Sequence, residues 1–448
     1  IKSNSNSKYT IGFHKPIMIA GGIGSIREPH TKKKKLENGD LIIILGGPSY
    51  LIGMGGGAAS SLGSGASAEN LDFSSVQRDN PEMQRRCQEV INHCIFLNKK
   101  TPIRSIHDVG AGGLSNAVPE IVNESRMGAE IYLSKIPIGE KNLSPLQIWC
   151  NESQERYIIV ITKKSLQLFD DICRQENCPY SVIGTVTKSK NLILFDNFGN
   201  KIINLPMNYL LGKPPISPIS LTKIKQKKQS SSSIELPTFN TCVERVLKMP
   251  SVSDKGFLIT IGDRSVTGLV SRDQMIGPHQ IPVSNVAITV SGFESSCGEV
   301  LTIGEKPLLA ISNPSASAQM AFGEMITNIS CSYIKDLSRI KVSANWMASS
   351  KNQNQLNGLY SAVEQLSILC KKTEIAVPVG KDSLSMSTTW KNRNIKYEVE
   401  SPVSLVLSAF SAIDDVALNV NPMIRGNGNI FFIDLAFGKK RMGGSALY

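Results

Sequence analysis

Five consecutive apolar residues, Leu41–Leu45, stand between Gly39-Asp40 and Gly46-Gly47, and this run predicts a buried strand bounded by turn signals. Apolar stretches at Ile103–His107, Tyr157–Thr162 and Leu192–Phe195 predict further strands, as do segments 14–20, 257–261 and 286–290. Helical spacing takes over after Asn80-Pro81-Glu82. There a proline in the first turn and an early glutamate start a helix whose Val90, Ile91, Cys94 and Ile95 recur at helical intervals. Helices are also predicted over 165–176, from Leu114 onward, over 316–327 and over 358–369. Strands that alternate with helices argue for an α/β or α+β architecture.

At 448 residues the chain is long for one domain, and two or three cores are expected. A first unit runs over 13–211, preceded by a disordered or partial linker at 1–12. Segment 212–235 holds Pro214-Pro215, Pro218, a lysine cluster and Ser230–Ser233, a composition that reads as a linker. A second unit starts at 236. An internal echo adds a further boundary: Gly39-Asp40-LIIIL followed by Met54-Gly55-Gly56-Gly57 resembles Gly428-Asn429-IFFIDL followed by Met442-Gly443-Gly444. A long repeat at a nearly constant offset implies two copies of one domain, the second only begun at Tyr448.

Composition narrows the classes. The net charge of +12 would suit a nucleic-acid partner, but the lysine runs 32–35 and 223–228 lie in polar stretches without aromatics, so bases find no stacking platform. Solvated loop charge is the simpler reading. No apolar run approaches the roughly 20 residues of a membrane helix, and no secretory signal is visible at the start. The initial Ile1 suggests a fragment. Nine scattered cysteines form no Cys-x-x-Cys pair, which argues against a disulfide framework or zinc site and fits a reducing, cytoplasmic setting.

Two motifs carry the candidate chemistry. HDVGAGGL (107–114) places a carboxylate, Asp108, before a glycine-dense turn, which suits a metal-bound phosphate because glycines admit close backbone approach and carboxylate oxygens suit Mg²⁺. The alternative is a structural turn capped by Asp108. NESQER (151–156) offers Glu152, Ser153 and Gln154 as three different hydrogen-bonding ends, which suits a polar, amide-bearing substrate. Glu324 and Asn328 lie four apart on one predicted helix face and present oxygens to a hard cation, although surface helices often carry such pairs. Val379-Gly380-Lys381-Asp382-Ser383 reads as a charged turn near phosphate, without the upstream glycine of a P-loop. The Gly53–Ala58 run lacks the strand a dinucleotide fingerprint requires.

These motifs, together with FSSVQRDNPEMQRRCQEV (73–90), PLQIWCNESQERY (145–157), GDRSVTGL (262–269), RDQMIGP (272–278), GEMITNI (323–329), SANWM (343–347) and PVGKDS (378–383), resemble the large single-chain formylglycinamide ribonucleotide amidotransferases, also called phosphoribosylformylglycinamidine synthases. The resemblance covers nearly the whole chain in the same order. It implies an α+β tandem of aminoimidazole ribonucleotide synthetase-like domains: a first partner domain (13–211), a second ATPase-like domain (236–397) and the truncated start of a second partner domain (398–448). It also implies the ATP-dependent amidation of formylglycinamide ribonucleotide (FGAR) in de novo purine biosynthesis. ATP with Mg²⁺ activates the formamide oxygen as an iminophosphate, which ammonia released from glutamine then displaces.

Carried over by motif, the resemblance makes Gln77, Glu152, Ser153, Gln154 and Ser383 substrate contacts and Gly380 and Lys381 nucleotide-site positions. Asp108 becomes a metal ligand, and Glu324 and Asn328 become metal ligands of an auxiliary nucleotide site beside Ser284. Asn285 stands where the family usually has a metal-binding Asp, and His279 where Trp is usual. No catalytic residue is assigned, because the family's catalytic histidines and glycine-rich ATP loop precede this segment and its glutaminase domain follows it. The expectation is therefore an inactive portion of a longer, monomeric parent, without nucleic-acid or membrane partners. The competing reading is a non-catalytic remnant or split-subunit interaction module.

Overall fold

The computed structural model describes residues 3–4, 7–17, 19, 21–54, 80–213, 237–261, 268–281, 284–421, 423, 426–439 and 445–447. The chain divides into two compact units, residues 24–218 and residues 1–23 with 219–448. Among the described residues no helix is long and apolar enough to cross a membrane.

Strands are numbered along the chain. β1 (Ser3–Asn4) and β2 (Ser7–Ile11) belong to the second unit. The 24–218 unit is built on a seven-stranded, mostly antiparallel sheet. Its strands are β3 (Leu41–Gly46), β4 (Ile103–Asp108), β5 (Gly128–Tyr132), β6 (Arg156–Ile161), β7 (Tyr180–Thr187), β8 (Asn191–Phe195) and β9 (Lys201–Pro206). Their order in space is β4-β6-β3-β7-β5-β8-β9. The all-apolar run at β3 has a physical cause: the strand lies inside the sheet and is covered on both faces. Ile42 and Ile44 join one core with α2 (Leu114–Asn123) and α3 (Pro145–Cys150). Leu41, Ile43 and Leu45 join another with α1 (Pro81–Phe96) and α4 (Leu166–Gln175). The short α5 (Met207–Leu211) closes the unit. Asn80 caps α1 by accepting a hydrogen bond from the Met83 amide, as the Asn-Pro-Glu start predicts.

In the second unit a six-stranded sheet comprises β10 (Val270–Arg272), β11 (Val286–Val290), β12 (Gly298–Glu305), β13 (Lys341–Met347), β14 (Ala376–Ser383) and β17 (Ser404–Ile413), ordered β10-β11-β12-β17-β13-β14. The helices here are α6 (Phe239–Leu247), α7 (Gly256–Ile261), α8 (Pro307–Ala310), α9 (Pro314–Ile329) and α10 (Gln353–Thr373). Alternate residues of β17, Leu405, Leu407, Ala409 and Ile413, share a core with Ala318, Ala321, Met325 and Ile329 of α9 and with Ala362 and Leu366 of α10. Gly304 lets the helix come this close, because a Cβ there would lie 2.2 Å from the Ala321 carbonyl oxygen. A four-stranded sheet adds β15 (Ser387–Asn392) and β16 (Ile395–Glu400), in the order β1-β2-β16-β15.

Several expectations change. Segment 1–12 is not a free linker: β2 pairs in parallel with β16, and Tyr9 donates to the buried Glu400 carboxylate, which also accepts from Ser349 and Asn352. Burial, then Glu400, hold the Tyr9 phenol above its ordinary value. The strand expected at 14–20 lies instead at Ser7–Ile11. Segment 257–261 is helical and exposed, since its apolar residues have no sheet neighbour. The Gly-Lys turn is instead strand β14. The boundary expected at 397/398 falls within a continuous sheet system, because β17 pairs with both β12 and β13. Residues 428–433, echoing β3, form no strand, and Ile430, Phe431 and Phe432 are exposed; β3 itself is held by β6 and β7, which come from far along the chain. The 212–235 linker lies largely outside the described residues.

Because both faces of β3 are core, Ile42→Ala and Ile43→Ala are each expected to destabilise the protein by about 2–5 kcal/mol. Urea unfolding of the two variants checks this. A sheet with one solvated face would give a large loss at only one of the two positions.

Candidate functional site

In the 24–218 unit the two sequence motifs meet. β4 ends at Asp108 opposite Tyr157 of β6, so the HDVGAGGL loop leaves the sheet beside the segment that enters β6. The Val109 amide donates to the Arg156 carbonyl, and the Gly112 amide donates to Glu152 Oε1 at 2.9 Å. Three glycines make this approach possible. A Cβ at Gly113 (φ +62°) would lie 2.0 Å from the Asn151 carbonyl oxygen, one at Gly46 (φ +111°) 2.1 Å from the Glu155 carbonyl oxygen, and one at Gly53 (φ +69°) 2.5 Å from Glu152 Cβ. Each needs both the left-handed backbone and the missing side chain.

From beneath, Arg156 organises the same segment. Arg156 is 3% exposed, and its guanidinium donates to the Ser153 carbonyl, Ser49 Oγ, and the carbonyl and side-chain oxygens of Asn151. Burial lowers its pKa to about 10, against the opposing charge of Glu155, so it stays protonated at neutral pH. Asn151 in turn donates to the Gln147 and Ile148 carbonyls at the end of α3. Ser153 Oγ accepts from the Tyr50 amide.

The predicted substrate-contact residues thus separate. Glu152 and Ser153 are buried and tied into the loop, whereas Gln154 is half-buried and donates to the Glu152 carbonyl. The Asp108 side chain is largely exposed, with His107 Nδ1 3.6 Å away, while His107 Nε2 sits 2.7 Å from Glu120. The His107–Glu120 pair gives the histidine a structural role. Among the described residues no group of three His, Cys, Asp or Glu is arranged around a metal. Gln77 lies outside the described residues.

The second unit contains a cavity of about 510 Å³ that gathers four other predicted residues: Ser284, Asn285, Glu324 and Asn328 line it. Its floor is the open face of β12 and β17, with Leu301, Ile303, Ser408 and Phe410, and Gly21 lies against Phe410. The paired part of β11 ends at Val286 opposite Thr302, leaving the last residues of β12 without a strand on that side. Side chains from α9 take its place: Glu324 Oε2 accepts from the Glu305 amide at 2.8 Å, and Asn328 Nδ2 donates to the Ile303 carbonyl. The helical spacing of 324 and 328 therefore serves the sheet edge as well as the cavity. Ser284 donates to the Val286 carbonyl.

Glu305 also lines this cavity, and the sequence reading missed it. The available signal was strand alternation, since 301, 303 and 305 share a face of β12 opposite to the buried 300, 302 and 304. Burial, and then the neighbouring Glu324 charge, push its carboxyl above the ordinary range, while Lys306 opposes them. Two glutamates line the cavity together with Asn285 and Asn328, and oxygen donors of this kind are what a hard divalent cation takes. Gly380, Lys381 and Ser383 do not join the cavity lining. They lie on β14, paired with Ala344, Asn345 and Met347 of β13, and two strands, β17 and β13, separate β14 from β12.

Both units thus belong to the α+β class built on aminoimidazole ribonucleotide synthetase-like domains. Residues 37–197 match the family described as AIR synthase related protein, C-terminal domain, and residues 254–412 match the FGAR-AT PurM N-like domain. Among solved structures, T. maritima PurL complexed with FGAR is similar at TM-score 0.63 and 19% identity, over 87% of this chain and 57% of that one. T. maritima PurL complexed with ATP gives 0.59 at 17% identity, over 87% and 56%. PurLQS from Thermotoga maritima gives 0.59 at 17%, over 85% and 55%. The chain spans somewhat more than half the length of these relatives, and its fold is PurL-like.

Two outcomes follow from this geometry. Gly113→Ala is expected to lower stability by more than the roughly 1–2 kcal/mol of a left-handed alanine, because the Asn151 carbonyl must also move; a thermal melt reads it. At Glu305 the folded pKa is raised, so the folded state loses stability as pH rises from the unfolded value of about 4.3 through the raised one. Glu305→Gln is therefore expected to melt above the wild type at pH 8, with the difference shrinking as pH falls towards 4. A constant difference across that range would contradict the like-charge account.

Proposed function

We propose that this chain takes part in the ATP-dependent amidation of FGAR to formylglycinamidine ribonucleotide in purine biosynthesis, a carbon–nitrogen ligase reaction that uses glutamine-derived ammonia from a glutaminase domain. The observation that carries this reading is the clamp between HDVGAGGL and NESQER, in which three Cβ-free positions and a buried guanidinium hold a polar loop in one conformation. Such preorganisation suits a site that must orient an amide for attack. The relatives' complexes with FGAR and with ATP support the same substrate and nucleotide.

In this reading Gln77, Gln154 and the Glu152–Ser153 backbone face the ribonucleotide, with Glu152 fixing the loop by accepting from Gly112. Asp108, exposed at the end of β4, holds the cation of the nucleotide. Gly380, Lys381 and Ser383 present the β14 edge to the nucleotide and substrate. ATP with Mg²⁺ supplies the phosphoryl group that turns the formamide oxygen into a leaving group. The 510 Å³ cavity is assigned to an auxiliary Mg²⁺-nucleotide, with Ser284 beside the nucleotide and Glu324, Asn328 and Asn285 around the metal. Asn285 contributes a neutral oxygen there, which lowers the charge available to hold the ion. A cytoplasmic location is consistent with nine cysteines that all remain free.

Calorimetric titration with FGAR tests the first site. Glu152→Ala, which removes the acceptor that fixes the loop through Gly112, and Gln154→Ala are each expected to weaken binding at least tenfold, the scale of losing a charged or well-placed hydrogen bond. Unchanged affinity in both variants would remove the reading. For the cavity, Mg²⁺ with ADP is expected to raise the melting temperature of the wild type, and Glu324→Gln to abolish that rise. Equal rises in both proteins would exclude the cavity as the nucleotide site.

A further inference from the structure

Directly beneath the clamped loop lie two thiols that the proposed reaction does not use. Cys87 on α1 and Cys178, in the short connection between α4 and β7, place their sulfurs 3.8 Å apart in the core of the 24–218 unit. Both are free and buried. Cys87 Sγ also lies 3.7 Å from the Glu155 carbonyl and 2.9 Å from where a Cβ on Gly46 would stand. The residue after Cys178 is equally connected, because the Pro179 carbonyl accepts from the Gly46 amide. Gly46, at the end of β3, passes against the Glu155 carbonyl of NESQER, which accepts from the Gly47 amide. The thiol pair is thus built into the support of that loop.

We propose that Cys87 and Cys178 are an oxidation site: hydrogen peroxide converts them to a disulfide, and the closure withdraws Cys87 from Glu155 and loosens the Glu152–Arg156 loop. The sulfurs must approach by about 1.8 Å to reach the roughly 2.05 Å of a disulfide. The approach is shared between the Cys87 side chain, which turns away from the Glu155 carbonyl, and residues 176–179, which are a connection and not a strand or helix. The first step joins one oxygen of the peroxide to Cys178 sulfur, giving a sulfenic acid and one water. Cys87 sulfur then attacks that sulfur, forming the S–S bond and releasing the oxygen as a second water. Two thiols lose two electrons and two protons, and one peroxide gains them.

The surroundings favour this order. The hydrogen bond from Cys87 lowers the Cys178 thiol below its ordinary value, burial opposes it, and Arg86 adds to the lowering, while that same hydrogen bond and burial hold Cys87 protonated. Arg86 is tied into the connection by its bond to the Asn177 carbonyl. With the Arg86 guanidinium tied beside it at the Asn177 carbonyl, Cys178 is assigned the step with peroxide and Cys87 the resolving step.

The chemical step stands independently of the proposed function, and only its effect on FGAR binding rests on that reading. Peroxide treatment of the full chain, alkylation in urea and peptide mass spectrometry without reduction are expected to give a Cys87–Cys178 linked peptide, absent from Cys178→Ser and reversed by dithiothreitol. Closing a loop of this length is expected to raise the melting temperature by several degrees in the non-reduced sample. Hydrogen exchange at the Tyr50 and Gly112 amides, which bond to Ser153 and Glu152, is expected to quicken at least tenfold on oxidation. Recovery of Cys87 and Cys178 as separately alkylated thiols while the exposed Cys297 oxidises would overturn the site. A linked peptide with unchanged exchange would overturn the coupling to the loop. Faster exchange with unchanged FGAR affinity would leave the oxidation site standing and count against the substrate reading instead.

Discussion

Backbone proximity that only glycine permits is the constraint on which the 24–218 unit depends. The segment 151–155 passes within about 2–2.5 Å of where side chains would begin at Gly46, Gly53 and Gly113, so three separate stretches of chain fix its path by steric contact alone. Sterics fix position without satisfying polar groups, and that second task falls to Arg156. Its four acceptors are neutral carbonyl, amide and hydroxyl oxygens. Burying a guanidinium is costly, and the cost is tolerated where several loop oxygens would otherwise be orphaned. The arrangement spends stability on one fixed loop geometry, which is the pattern expected of a site.

The second unit solves a different problem with a related economy. β11 stops short, and an uncovered sheet edge exposes backbone groups that need partners. Glu324 and Asn328 supply those partners from α9 while still lining the cavity. Each residue is thus held in place by a structural bond, so its remaining oxygen or amide group is presented without rotamer freedom to lose. The expense appears at Glu305, whose carboxyl is destabilised by burial and by Glu324. A like-charge pair kept beside a cavity is stabilised by whatever cation enters it.

How far the chain could be read from its letters follows from the range of the interactions concerned. β3, α1, α2, α9 and α10 were legible because apolar periodicity and the Asn-Pro caps act within a few residues. β12 and β17 were not anticipated: their residues alternate in burial, but the meaning of that alternation depends on a helix and a strand packed from elsewhere. Segment 257–261 misled in the opposite direction, since GFLITI has strand composition and finds no sheet. The motif glycines were legible as positions needing freedom, while the carbonyls they make room for, at 151 and 155, were not. Glu305 escaped because nothing local distinguishes it from a surface glutamate at the end of a strand.

The same limit explains why 428–434, which echoes 39–46, forms no strand among the described residues. The first copy is a strand because β6 and β7, drawn from residues 156–161 and 180–187, pair with both its edges, and because two sets of helices cover its faces. Apolar residues 430–433 have none of these neighbours among the described residues and lie open. Intrinsic strand preference is worth at most about 1 kcal/mol per residue, too little to order an unpaired segment against its conformational entropy. Apolar local sequence therefore becomes a strand only where long-range pairing supplies its neighbours. That argument applies equally to the clamp: Glu152 acquires its geometry only when Gly112, 40 residues earlier in the chain, is brought to it by the pairing of β4 with β6.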